Sequence, residues 1–348
     1  MNATRPRPWR ASMGRLRRRA WRHRLRRAWL SHMAPRLVAA AVPGTSSGAW
    51  RTESVAVSDT SVVMAVVACA STARRVLVKV PSTVEGVENL RRQADLLATL
   101  HADRRLDGWL RLVPRTLAYA EADGYGYWVE EALPGLPVTA PMLRHPHERA
   151  VLDAAVCLID EFHTRTSQRQ ALDDATVRTW VERPSSRLER GLAGLANRDR
   201  YADALDRIRA ELLGALTGRT TSTCWIHGDF WPGNLLAAGT AVTGVVDWDQ
   251  AGACQLPLHD LLHMHLFARR LTTGAELGDL VIDAVHRGLA DTVGVPAGRV
   301  TGWLRGIPDR PAVLLYWLRH VSLFIDSEGH GDNPRWLRGN VERVLARA

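Results

Sequence analysis

The stretch that most limits what this chain can become reads Trp225-Ile226-His227-Gly228-Asp229-Phe230-Trp231-Pro232-Gly233-Asn234-Leu235-Leu236, with Val245-Val246-Asp247-Trp248-Asp249 a short gap later. A tight Pro232-Gly233 turn leads to Asn234. Two short apolar runs, 235–238 and 242–246, then lie on either side of Gly239-Thr240, and they predict a β-hairpin. Such a hairpin returns Asp247 to the side of Asn234. An aspartate, an asparagine five residues on and a second aspartate are thereby gathered in one place.

This is the spacing at which phosphotransfer enzymes keep a base and their metal ligands. Phosphoryl transfer asks little covalent chemistry of a protein. It needs an acceptor hydroxyl oriented in line and the phosphate charge neutralised by Mg²⁺. Asp229 is the candidate catalytic base, which orients the hydroxyl and takes its proton. Asn234 offers a neutral carbonyl oxygen to a hard cation and Asp247 a charged one.

The pattern His-Gly-Asp-x-x-x-x-Asn followed by Val-Val-Asp-Trp-Asp resembles the aminoglycoside phosphotransferase and choline kinase branch of the protein-kinase-like fold. Gly228 stands where protein kinases carry an arginine, which separates the chain from that branch. A second His-Gly-Asp, at His330-Gly331-Asp332, has no apolar strand before it and no ligand partner after it, and is set aside.

The resemblance implies an α+β, bilobal protein-kinase-like fold, with a small antiparallel β-rich N-lobe over residues 51–131 and a larger, mainly helical C-lobe over 132–348. It implies ATP (or GTP) with Mg²⁺, and transfer of the γ-phosphate to a hydroxyl of a small molecule. The family's acceptors include aminoglycosides, macrolides, choline, homoserine and sugars, and fold does not choose among them. A nucleotide-binding pseudokinase or scaffold without turnover is the alternative.

Within the first lobe, runs 54–57, 61–70 and 75–80 are rich in valine and predict three strands. The third contains Lys79, the only lysine among 46 basic residues. The fold it resembles keeps its phosphate-binding lysine on that strand, and a compact ammonium is not duplicated by a guanidinium fork. The turn before the second strand carries Ser58, Thr60 and Ser61, whose amides and hydroxyls are candidate phosphate contacts, although the Gly-rich loop of protein kinases is absent. A helix with Val87, Leu90, Ala94, Leu97 and Leu100 on one face follows. The resembled family pairs the strand lysine with a glutamate on this helix, and here Gln93 takes that slot. Glutamine can bond an ammonium but cannot neutralise it, so the lysine is expected to be held less firmly. Runs 115–120 and 125–130, joined at Asp123-Gly124, predict a hairpin. The second enters Glu130-Glu131-Ala132-Leu133-Pro134-Gly135, which resembles the hinge whose backbone meets adenine; Glu131 and Leu133 are the positions so implied.

The helical lobe reads from stripes such as Ala150, Val151, Ala154, Cys157, Leu158 and Phe162, and Tyr201, Leu205, Ile208, Leu212 and Ala215. Runs 258–267, 275–289 and 312–324 predict further helices. Trp303, Trp317 and Trp336 are candidates for the lining of an acceptor pocket, with core packing the favoured reading. His259 and His263 would share a helix face as zinc-binding pairs do, but no metalloprotease motif separates them. Asp260 reads as support for the catalytic loop, and His227 as orienting it.

The net charge of +10 is misleading. Residues 1–50 hold 12 arginines and no acid, leaving 34 basic against 36 acidic residues in the remainder. A near-neutral body weakly favours a neutral sugar, nucleoside-like or amino-alcohol acceptor over a polycation. Between Gly14 and Leu30, apolar residues at helical spacing among arginines would suit an anionic membrane surface or nucleic acid. The prolines and the 44–48 segment favour a disordered extension over residues 1–50, or a start codon set too far upstream. Four isolated cysteines read as buried thiols in a reducing cytoplasm, and no apolar run reaches about 18 residues.

Overall fold

The computed structural model describes residues 26–57, 62–122, 125–144, 149–193, 198–325 and 330–347. It divides into two compact units. One runs up to Ala102 and takes in Leu110–Leu133; the other comprises Asp103–Trp109 and Pro134–Ala348.

The first unit is built on a five-stranded antiparallel sheet. Its strands are β1 (Trp50–Val57), β2 (Val62–Cys69), β3 (Arg75–Pro81), β4 (Thr116–Ala122) and β5 (Tyr125–Glu131), in the spatial order β1-β2-β3-β5-β4. Strand side chains alternate between faces. Val63, Ala65, Val67, Val76, Val78 and Val80 therefore share one buried face with Tyr127 and Val129. Val62 and Trp128 lie on the other, against Val87, Leu90 and Ala94 of helix α2 (Val84–Ala102). Lys79 pairs with Met64 on one side and Trp128 on the other, so its parity turns it toward α2.

The first face is covered by a helix in a place where the sequence predicted disorder. Residues 26–41 are helical and form the described part of α1. Leu30, Ala34, Leu37 and Val38 are buried in the same core as the valines of β2 and β3. Their spacing of four, three and one is that of a helix stripe. Polar contacts fasten it: Thr52 Oγ1 donates to Ser31 O at 2.8 Å and Tyr127 Oη to Leu37 O at 3.3 Å. The reading of 1–50 as a disordered extension thus fails for residues 26–50. Burying four apolar side chains outweighs what the prolines suggested.

The second unit carries two small antiparallel sheets and most of the helices. After β6 (Leu136–Pro137) come α3 (Ala140–Arg144), α4 (Arg149–Thr166), β7 (Gln168–Ala171), α5 (Asp174–Leu192), α6 (Arg198–Leu216) and β8 (Thr220–Ile226). The hairpin β9 (Leu235–Ala238) and β10 (Ala241–Val245) follows, then β11 (Gly252–Gln255), α7 (Leu258–Thr273), α8 (Leu277–Arg287), α9 (Leu289–Val293), α10 (Ala297–Leu304) and α11 (Asp309–Phe324). The sheet orders are β10-β9-β6 and β11-β8-β7. Helix α11 is buried from Pro311 to Leu318 without a break, which marks it as a central helix.

Three sequence expectations change here. Residues 103–109 leave the small lobe, because Trp109 packs on Phe162 at 4.6 Å between centroids and donates to Leu158 O at 3.1 Å. Cys157 is exposed rather than buried, since the buried stripe of α4 runs through Val151, Ala155, Ile159 and Phe162. Helix α5 has no counterpart in the sequence reading; Pro184 inside it hides a stripe of Val177, Trp180, Val181 and Leu188. The hairpin turn expected at Asp123-Gly124 lies outside the described residues. Among those residues no helix is long and apolar enough to cross a membrane.

Candidate active site

Strand β8 ends at Ile226 and delivers the candidate catalytic segment, which opens with His227, its ring held by bonds on both sides. His227 Nε2 donates to Val246 O at 2.9 Å, and Nδ1 accepts from the Asp229 N–H at 3.3 Å. Both bonds require a neutral ring. Burial supplies it, holding the His227 pKa below its ordinary value against the pull of Asp260 and Asp229. Trp248 closes over the ring at 4.5 Å and donates from Nε1 to Val245 O at 2.8 Å. His227 thereby ties the loop of Asp229 to the strand that ends before Asp247.

Asp260, in the first turn of α7, is the anchor of this loop. One carboxylate oxygen accepts from the His227 N–H at 2.8 Å and from His163 Nε2 at 2.9 Å; the other accepts from the Gly228 N–H at 2.7 Å. Burial alone would raise its pKa, but His163, with the His227 bond and charge, holds it below the ordinary carboxylate value. Gly228 has φ +83°, and a side chain there would strike Gln250 O and the Arg319 guanidinium. Only glycine lets the loop pass this close to Gln250. Gly233 is required for a related reason, since a β-carbon there would enter the Trp231 ring.

The hairpin brings the two candidate metal ligands side by side. Register pairs Leu235 with Val245, and the Val246 N–H donates to Asn234 O at 2.9 Å. Asn234 Nδ2 donates to both Asp229 O and Asp229 Oδ2 at 2.9 Å, so its Oδ1 is turned away from the base. Asp247 is exposed and has φ +67°, a left-handed conformation that costs a non-glycine residue about 1–3 kcal/mol. A carbonyl oxygen and a carboxylate fit a hard cation. Among the described residues no three His, Cys, Asp or Glu side chains form a metal-holding group, so the pair can hold only part of a coordination shell.

A residue whose place sequence reasoning missed contacts the candidate base. His263 Nε2 lies 2.9 Å from Asp229 Oδ1, at ion-pair distance but without the alignment of a full hydrogen bond. Its Nδ1 is 2.9 Å from Tyr316 Oη. Burial raises the Tyr316 pKa well above its ordinary value, so the phenol stays protonated and donates to Nδ1, which leaves the Nε2 proton toward Asp229. Burial also pushes the Asp229 pKa upward, but His263, aided by His227 and His320, more than offsets it and holds the carboxyl below the usual range. The spacing of His259 and His263 pointed only to a possible zinc pair. His263 instead turns to the base, while His265 stacks on Trp303 at 5.3 Å.

In the first unit Lys79 is 8% exposed and doubly held. Its Nζ donates to Gln93 Oε1 at 3.3 Å and forms an ion pair with Glu130 Oε2 at 2.7 Å. The expectation of a weakly held lysine is therefore corrected: Glu130 of β5, not a residue of α2, supplies the charge. Lys79 lies opposite Trp128 and Leu77 opposite Glu130, so lysine and glutamate are diagonal neighbours on one face. Replacing Glu130 by glutamine keeps an acceptor but strips the charge, and is expected to weaken nucleotide binding by about tenfold to a hundredfold in a direct titration.

Ser58, Thr60 and Ser61 lie outside the described residues. Glu131 is exposed where β5 ends, and its N–H is taken by Arg115 O at 2.9 Å; Leu133 is half-buried two residues on. Asp249 accepts from Gln250 Nε2 at 3.2 Å. The second His-Gly-Asp forms a short 3₁₀ turn in which His330 stacks on Trp336 at 4.9 Å and sits 3.0 Å from Phe324 O.

A model of the phosphotransferase enzyme family (APH) matches residues 64–299. The chain belongs to that family. It is accordingly a small-molecule kinase, with the antiparallel sheet and helical lobe of the protein-kinase-like fold. No curated protein matches by sequence. Several solved phosphotransferases share the fold. The thermostable aminoglycoside phosphotransferase APH(4)-Ia, in a ternary complex with AMP-PNP and hygromycin B, superposes with TM-score 0.55 at 14% identity, over 86% of this chain and 95% of that one. ADP-bound aminoglycoside phosphotransferase APH(2'')-Ib gives 0.52 at 13% identity, over 91% and 98%. Macrolide 2'-phosphotransferase MphH from Brachybacterium faecium gives 0.50 at 15%, over 88% and 98%. At these identities the likeness speaks for the fold of this phosphotransferase and leaves its acceptor open.

Proposed function

We propose that the chain transfers the γ-phosphate of ATP, with Mg²⁺, to a hydroxyl of a small molecule, with Asp229 as base and Asn234 and Asp247 as metal ligands. The observation that carries this reading is the Asn234 amide, which bonds the Asp229 carboxylate through its nitrogen and turns its oxygen the other way. One amide thus sets both the base and a ligand position. Held below the usual carboxylate range, Asp229 stays ionised at neutral pH. Its main task is to orient the acceptor hydroxyl, and it accepts the proton as the oxygen–phosphorus bond forms. His263 and Asn234 hold its two oxygens in place meanwhile. Asn234 and Asp247 would hold Mg²⁺, which would neutralise phosphate charge.

Lys79, Gln93 and Glu130 form the proposed phosphate contact of the first unit, with Ser58, Thr60 and Ser61 as further candidates. The backbone near Glu131 and Leu133 is the proposed adenine contact; since the Glu131 N–H is engaged, its carbonyl would serve. A guanine nucleotide fits the same description. The Lys79 ion pair weighs against a pseudokinase, because it removes the main reason to doubt the lysine. Aminoglycoside-, sugar- and amino-alcohol-like acceptors remain the proposed class. The four free cysteines support a cytoplasmic setting.

The test is Mg²⁺-dependent ATP consumption by the full chain across a panel of neutral sugars, nucleosides, amino alcohols, macrolides and aminoglycosides. Stimulation by one class, with phosphate recovered on its hydroxyl, is the expected result. Failure of ATP to bind would remove the assignments of Lys79 and Asp247 together.

A further inference from the structure

Behind the catalytic loop, within the second unit, helices α5 and α11 and the β11–α7 junction line a half-open cavity of about 650 Å³. That is the size of a small-molecule site. Its wall is strongly basic. Arg183, Arg187 and Arg190 present three guanidinium groups at spacings of four and three, which places them along one side of α5. Arg319 of α11 adds a fourth. The one acidic residue of the lining, Glu182, lies 3.6 Å from Arg178, so its charge is already shared.

Two buried groups give this wall a definite target. His259, 4% exposed, lines the cavity with its ring, while its Nδ1 is sealed from solvent and has no hydrogen-bond partner. Burial, with Arg319 beside it, lowers its pKa to about 3, so the ring is neutral and offers one N–H rather than a second fixed charge. Arg319 bonds two backbone carbonyls, Gly228 O at 2.9 Å from Nη1 and Gln250 O at 3.2 Å from Nη2. Two of its five N–H groups are used in this way, leaving the rest of the fork for a ligand. A guanidinium fork beside an imidazole matches the oxygens of a carboxylate or phosphate.

We propose that this cavity binds a small-molecule anion, a phosphate ester or a carboxylic acid, through Arg183, Arg190, His259 and Arg319, and that Arg319 links its occupancy to the catalytic loop. The link is short. Gly228 immediately precedes the base Asp229, and Gln250 follows Asp247 by three residues. An acid drawn onto Arg319 must share it with both carbonyls.

The experiment is calorimetric titration of the full chain at fixed ionic strength with inorganic phosphate and, separately, with citrate. The proposal expects saturable binding of at least one probe, and the tighter one names the class. The Arg183→Gln/Arg190→Gln variant should bind about tenfold or more weakly, the loss expected for a charge-assisted bond. In a Lys79→Ala background, which removes the proposed phosphate contact of the first unit, saturable binding to the cavity should persist. A second readout needs no variant: the His259 ring ¹⁵N signals should shift with phosphate along the same isotherm. Binding that survives the α5 substitutions, or that is lost with Lys79→Ala, would place the anion elsewhere and overturn the proposal. So would the lack of saturable binding of either probe at tens of millimolar.

Discussion

Asp229→Asn is expected to lower turnover by about 10²–10⁴-fold, the usual worth of a positioned base, while nucleotide affinity changes little. The amide has the shape of the carboxyl, so loop and hairpin should stay in place. What is lost is the charge proposed to orient the acceptor hydroxyl and receive its proton. The Asn234 Nδ2, which now donates to a carboxylate oxygen at 2.9 Å, would face either an amide oxygen or an amide NH₂. The effect should therefore fall on kcat, measured as phosphate transferred to the acceptor under saturating ATP. The wild-type rate should also not fall through protonation of Asp229 until the pH is below about 4, because that carboxyl is held under its ordinary value. A kcat within a few-fold of wild type in the variant would strike Asp229 from its role.

The second large effect is on stability. Asp260→Ala removes the acceptor of three buried donors, the N–H groups of His227 and Gly228 and the His163 ring. Breaking a buried, charged network of this kind costs about 3–5 kcal/mol. Against a total stability of about 5–15 kcal/mol that is a large share, and the thermal transition should drop by about 6 °C or more. Asp260→Asn keeps one acceptor oxygen and should fall between wild type and alanine. The pH dependence has a definite sign. The folded pKa of Asp260 is depressed, so its contribution is fully present above the unfolded value of about 3.9 and is lost as the pH falls through the lower, folded value. Acid titration followed by circular dichroism should show wild type and Asp260→Asn converging as the pH drops. Curves that stay parallel throughout would separate Asp260 from the acid sensitivity of the fold.

The parts of the site that were legible in the sequence are those that depend on local spacing. Asn234 and Asp247 could be placed side by side because one short hairpin joins them, and Lys79 stood out because no other lysine exists. What stayed hidden depends on pairing across distance. Glu130 meets Lys79 only because β3 and β5 are neighbours in space, and no interval along the chain announces that. His263 reaches Asp229 through the packing of α7 against the loop, whereas its sequence spacing spoke of a metal. Helix α5 was concealed by Pro184, which a helix tolerates when its N-cap, Asp173, and its packed face hold it. Residues 26–41 were concealed by the arginines and prolines around them, though Leu30, Ala34, Leu37 and Val38 carried the period throughout.

That last helix sets how far the chain can be trimmed. A shortened form beginning after Pro43 would bare a continuous surface made of Val63, Ala65, Val67, Val76, Val78, Val80 and Val129. An open valine sheet of this sort is a template for self-association. Such a form should emerge from expression as aggregate or bound to chaperones even though every proposed catalytic residue is still present, whereas a form beginning at Met13 keeps the whole described helix. Partition of the two between pellet and supernatant reads the difference directly. The arginine-rich head of the chain, easily taken for dispensable, thus merges into the segment that keeps the small lobe from sticking to its own kind.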